Sequence, residues 1–174
     1  FDFMQYVNKN FGLSFYNYQE LHNWSVKENL KFWELSLSYF DVIYSKPHTE
    51  IVKIKNKKIG TEWFPGLKLN FAENLLKYRD DEIALSFYRE DGKAKAITYR
   101  ELYDKVSSFV SFFRGLGIEK GDRVVGYLPN CPEAIIAMLA TASIGAVWSS
   151  CSSEFGENAV LDRFSQIEPK LLIS

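Results

Sequence analysis

The sequence runs to 174 residues, 47% of them hydrophobic and 25% charged, with a net charge of −1. That length predicts about one domain with room for an appended subdomain, in the ordinary proportions of a soluble globular chain. The near-neutral charge excludes an electrostatic footprint for nucleic acid or an anionic membrane, no apolar run approaches the roughly 20 residues that span a bilayer, and no signal-peptide pattern opens the chain.

The first half reads as helical and aromatic. Phe3, Val7 and Phe11 recur at helical spacing, and Gly12 stops that helix. Ser25-x-x-Glu28 has the form of a capping box, in which a hydroxyl and a carboxylate satisfy free backbone N–H groups. Behind it Val26, Leu30, Trp33, Leu37 and Phe40 are expected on one apolar face that packs against the body of the protein. The stretch 53–58 carries four lysines in six residues and reads as a solvated turn between strands rather than an anion site. Trp63-Phe-Pro-Gly66 is a turn bearing two large rings, and Asn70 is placed to cap a short helix carrying Leu75 and Leu76.

Residues 83–88 and 94–98 read as strands of a tight hairpin, with Asp91-Gly92 supplying positive φ angles at its turn. From Thr98 the pattern becomes an alternation of helix and strand. Thr98-x-x-Glu101 is a second capping box, and Leu102, Val106, Phe109, Val110 and Phe113 form one apolar face closed by Gly115 and Gly117. A strand follows at 123–128. Asn130 is expected to cap the next helix, with Pro132 in its first turn, and that helix is apolar nearly all round and therefore buried. A second strand is expected at 146–150, a third helix through Val160, Leu161, Phe164 and Ile167 closed by Pro169, and a third strand at 170–174.

Strand–helix–strand–helix–strand with short joints predicts right-handed crossovers and parallel pairing. The fold class expected is α/β: an incomplete doubly wound parallel sheet, β-α-β-α-β, preceded by a helical, aromatic-rich region and a β-hairpin. Residues 1–82 are read as the first region and 83–174 as the start of a larger domain. The chain stops at Leu171-Leu-Ile-Ser174 inside what reads as a core strand, so the expectation is the N-terminal part of a longer polypeptide.

Few residues carry chemistry of their own. No GxGxxG or GxxxxGK[ST] pattern is present, and Gly115-x-Gly117-x-x-x-Gly121 sits between helix and strand as loop punctuation. His22 and His48 stand alone and read as surface or packing residues. Cys131 and Cys151 match neither a CxxC redox site nor a zinc site, which makes a reducing cytoplasm the default setting. The serines at 149, 150, 152 and 153 lack the Gly-x-Ser-x-Gly context of a serine hydrolase. The feature that stands out is Trp148-Ser-Ser-Cys-Ser-Ser-Glu-Phe-Gly156, small polar residues between an apolar strand and a helix, which lets a ligand approach backbone closely. Two readings stay open for it: a ligand loop, or the seat of the third helix.

Several segments resemble the acyl-adenylate-forming superfamily and, within it, the acetoacetyl-CoA synthetase family. Trp24-Ser25, Trp63-Phe-Pro-Gly66 and Leu69-Asn-Phe-Ala-Glu-Asn-Leu-Leu76 resemble the entry segments of the acetyl- and acetoacetyl-CoA synthetase branch. Thr98-Tyr-Arg-Glu-Leu102 and Gly121-Asp-Arg-Val124 resemble early motifs of adenylate-forming enzymes generally. Pro129-Asn-Cys-Pro-Glu133 and 148–156 point within the branch. Acetyl-CoA synthetases carry a His and a Gly-Gly in the loop where this chain has Trp148 and Ser153-Glu154, and with 160–170 that favours the acetoacetate family.

The resemblance implies an enzyme that converts acetoacetate, ATP and CoA to acetoacetyl-CoA, AMP and pyrophosphate through an acyl-adenylate, with Mg²⁺. It places the phosphate loop, the adenine and ribose contacts and a mobile lysine-bearing domain beyond Ser174. These 174 residues are then scaffold, inactive alone, with no catalytic residue and no metal site. One wall of the acyl and CoA path is expected near Ser150, Cys151, Ser152, Ser153 and Glu154. The alternatives are a synthetase for acetate or propionate, or a free-standing α/β binding module, which would need a closed sheet and a complete ligand rim.

Overall fold

A computed structural model describes residues 1–54 and 60–174, so most of the lysine-rich stretch lies outside the described residues. The chain forms two compact units, Phe1–Leu69 and Asn70–Ser174.

The first unit holds α1 (Asp2–Phe11), α2 (Tyr18–Lys27), α3 (Asn29–Tyr39) and an antiparallel ribbon of β1 (Val52–Ile54) and β2 (Thr61–Trp63). Gly12 ends α1 at φ 63°, where an L side chain would be strained, and Leu13 N–H returns to the Asn8 carbonyl at 3.0 Å. The expected box at Ser25 does not form. Asn17 caps α2 by accepting from Glu20 N–H, while Ser25 lies in the last turn with its hydroxyl bonded back to the His22 carbonyl at 2.8 Å. Asn17-x-x-Glu20 offers a cap of at least equal strength eight residues earlier, and Glu28 becomes the bend between α2 and α3.

That bend divides the expected apolar face. Val26 falls on α2 and Leu30, Trp33 and Leu37 on α3, and Val26, Leu30, Trp33 and Phe40 are exposed. Ring-to-ring contacts do the packing instead: Phe3 meets Phe32 at 5.7 Å and Tyr39 at 4.9 Å between centroids, and Tyr6 meets Tyr39 at 5.1 Å. The Trp63-Phe-Pro-Gly66 turn closes with Leu67 N–H on the Phe64 carbonyl at 3.0 Å and Gly66 at φ 84°. Phe64 itself sits at φ 48°, an unusual conformation for an aromatic residue, with its ring edge against His48.

The second unit begins with α4 (Phe71–Leu75), then the antiparallel hairpin β3 (Ile83–Tyr88) and β4 (Ala94–Thr98). Its turn closes with Gly92 N–H on the Arg89 carbonyl and Arg89 N–H on the Lys93 carbonyl. Only Gly92 takes positive φ, at 78°; Asp91 instead accepts from Lys93 N–H, which corrects the expectation of two such residues. The capping box at Thr98 and Glu101 forms in full and opens α5 (Tyr99–Gly115), which buries Leu102, Val106 and Phe113.

There follow β5 (Arg123–Tyr127), α6 (Pro132–Ser143), β6 (Val147–Cys151), α7 (Glu157–Ser165) and β7 (Leu171–Ile173). The three strands pair in parallel in the order β6-β5-β7. Strand alternation sends successive β5 side chains to opposite faces. Val124 joins Leu102, Val106, Phe113, Ile136 and Ala140 in one core cluster, and Val125 joins Cys151, Val160 and Phe164 in another. Thus α5 and α6 cover one face of the sheet and α7 the other. Pro132 occupies the first position of α6, which makes Cys131 the cap residue in place of Asn130. The unit as described is a mixed α/β layer around a three-stranded parallel sheet.

Candidate functional site

The loops at the carboxyl ends of β5 and β6 gather on one edge of this sheet, where open α/β folds collect ligands. A cleft of about 1040 Å³ opens there. One wall is the hairpin, through Phe87–Lys95 in part; a second is the β5–α6 connection at 129–133; the third is Ser152, Ser153 and Glu154. Its charges are nearly balanced. Arg89, Lys93 and Lys95 stand against Glu90, Asp91, Glu133 and Glu154, and Asp91 pairs with both Arg89 (3.4 Å) and Lys93 (3.6 Å).

The five residues singled out in sequence divide. Ser152, Ser153 and Glu154 reach the cleft; Ser150 and Cys151 do not line it and lie within β6, which ends one residue later than expected and so takes in Cys151 as well. Cys151 is buried among Val125, Val160 and Phe164, while Ser150 is exposed and lies opposite Gly126 in the parallel register. The remaining three form a tight turn, with Phe155 N–H on the Ser152 carbonyl at 3.1 Å and Glu154 N–H on the Ser152 hydroxyl at 3.3 Å. Gly156 then opens α7 without a side-chain cap.

Two contacts that sequence reasoning missed hold this turn. The Tyr127 hydroxyl, at the end of β5, lies 2.7 Å from the Phe155 carbonyl and 3.1 Å from that of Ser153. The Arg163 guanidinium, from α7, stands over the Phe155 ring at 4.4 Å. An aromatic residue with a polar tip ending a central strand was the available signal for the first. The Trp148 ring of β6 packs against β5 at Gly126, where a Cβ would stand 2.5 Å from it.

Among the described residues no group of three or more His, Cys, Asp or Glu gathers that could hold a metal ion, so Mg²⁺ is assigned no position on them. No helix among them is long and apolar enough to cross a membrane.

With a parallel layer, a ligand-sized cleft beyond its strand ends and a small-residue loop on the rim, the chain compares with known proteins as follows. Residues 71–174 match the AMP-binding enzyme family, and 18–75 match the acetyl-coenzyme A synthetase N-terminus. The chain belongs to the AMP-binding enzyme family. Within it the chain is similar to the acetoacetyl-CoA synthetase of Xenopus tropicalis, 49% identical over 99% of this chain and 26% of that protein. The solved structure of the acetoacetyl-CoA synthetase from Streptomyces lividans superposes with a TM-score of 0.84 at 42% identity, over 96% of this chain and 26% of that one. A malonamoyl-CoA synthetase of Penicillium aethiopicum is 40% identical over 99% of this chain and 25% of its own length. The chain spans about a quarter of the length of the curated relatives it matches.

Proposed function

We propose that the protein to which these residues belong is an acetoacetate–CoA ligase. In that reading the acid's carboxylate oxygen attacks the α-phosphorus of ATP with loss of pyrophosphate, and the CoA sulfur then attacks the acyl carbon with loss of AMP. The observation that carries it is the similarity to acetoacetyl-CoA synthetases, at 40% identity or more, along nearly the whole chain in both sequence and structure. The described residues supply the frame. They begin a sheet that we read as continuing doubly wound, with the entry region at 1–82 and the adenylate-forming body from 83 onward. The two free thiols, Cys131 and Cys151, agree with a cytoplasmic setting.

Within this frame we assign Ser152, Ser153 and Glu154 to the acyl and CoA side of the reaction, with Ser150 and Cys151 placing that turn from β6. Small exposed side chains on a fixed turn let an extended thiol arm lie along the backbone and keep bulk water from it. A second reading concerns the acid. Malonamate differs from acetoacetate by an amide nitrogen where the other has a methyl carbon, and the Penicillium relative is named for that acyl group. Both are short acids with a carbonyl at the β position, so the class supported is a β-carbonyl carboxylate.

The test separates the two half-reactions in the native protein. Ser153→Trp fills the cleft side of the turn, so CoA-thioester formation should fall about tenfold or more while acid-dependent pyrophosphate exchange falls less. Equal losses in both, together with a lowered Tm, would make the turn a seat for α7 and nothing more.

A further inference from the structure

Tyr127 ends the central strand with its ring packed against the Val125, Cys151, Val160 and Phe164 cluster and its hydroxyl beyond it. That hydroxyl has one proton and two carbonyls converge on it, Phe155 at 2.7 Å and Ser153 at 3.1 Å, 28 and 26 residues further along the chain. The proton goes to the nearer carbonyl, with Ser153 as a second, weaker acceptor. Both carbonyls are thereby turned toward the Tyr127 hydroxyl at the end of β5. Their neighbour Glu154 sits between them on the rim. Apart from the Arg163 guanidinium over the Phe155 ring, the described residues give the turn little else to hold it: its side chains are exposed, and its internal hydrogen bonds are two accepted by Ser152.

We propose that Tyr127 is a positioning residue for CoA: its hydroxyl holds the Ser153–Phe155 turn in the conformation that the acyl and CoA path requires. This rests on the reading that assigns the turn to that path. Tyr127 does not line the cleft and acts only through the turn. It therefore affects how the thiol arm is received rather than how the acid is activated.

Tyr127→Phe keeps the ring in its cluster and removes the hydroxyl alone. In the native protein the KM for CoA should rise about 3- to 10-fold, the loss expected for one hydrogen bond, with a smaller change in pyrophosphate exchange. Backbone amides of 153–156 should exchange with deuterium faster, while those of β5 and α6 keep their native rates. Unchanged exchange at 153–156 overturns the proposal, since the hydroxyl then holds nothing. Faster exchange with an unaltered KM for CoA also overturns it, provided Ser153→Trp in parallel impairs the CoA step. If Ser153→Trp leaves the CoA step untouched as well, the assignment of the turn is what fails. A Tm lowered for the whole protein with equal losses in both half-reactions would make Tyr127 a core residue only.

Discussion

Gly126 and Trp148 fit closely across the sheet. The indole of β6 lies over the one β5 position with no side chain, and a Cβ there would stand 2.5 Å and 2.6 Å from two ring atoms. Gly126→Ala should lower stability by about 1–3 kcal/mol, because neither a ring nor a strand backbone yields easily. Paired with Trp148→Leu the two losses should fall short of additive by about 1 kcal/mol, measured by denaturant unfolding of a double-mutant cycle. Strict additivity would show that the ring does not lie there. A second residue carries a pH signature. The Lys170 ammonium at 2.8 Å, helped by Glu119 N–H at 2.7 Å, holds the Asp122 carboxyl below its ordinary value. A carboxyl depressed on folding contributes stability above its unfolded value, near 4, and loses it as pH falls through the folded one. Asp122→Asn should therefore melt below the native protein at pH 7, with the gap closing toward pH 3. A gap that stays constant across that range contradicts the pairing.

At the scale of elements, what was legible in the sequence was what local partners decide. Thr98 and Glu101 lie one turn apart, satisfy each other's backbone groups without help, and were readable as a cap; Thr98→Ala should cost about 1 kcal/mol in unfolding free energy. The alternating pattern after Thr98 likewise predicted three parallel strands, and their pairing follows it. Ser25 misled because two similar capping patterns lay eight residues apart, and only the packed helices choose between them. Asn130 misled although Pro132 at the first helical position already pointed to Cys131. Asn70 shows a role that no local pattern announces. Its Oδ1 caps α4 through Glu73 N–H, while its Nδ2 donates to the Ala142 and Ser143 carbonyls at the end of α6, over 70 residues away. Asn70→Asp keeps the cap but puts a carboxylate against those carbonyls, so it should destabilise by about 1–3 kcal/mol. Native stability in that variant would mean the second contact contributes nothing.

For the whole molecule, the candidate site was half legible. The small-residue loop declared itself through composition and its place after a strand, and three of its five expected residues line the cleft. The opposing hairpin wall, the 129–133 rim and the Tyr127 anchor join segments tens of residues apart, which no spacing rule brings together. The proposed activation of acetoacetate for transfer to CoA is measured by acid-dependent ATP–pyrophosphate exchange in the native protein. Acetoacetate, malonamate, acetate and propionate are compared at equal concentration. The highest kcat/KM is expected with acetoacetate, malonamate next, and at least about tenfold less with acetate and propionate, which lack the β-carbonyl that a polar pocket would read. Preference for acetate or propionate, or no exchange with any of the four acids, would contradict it.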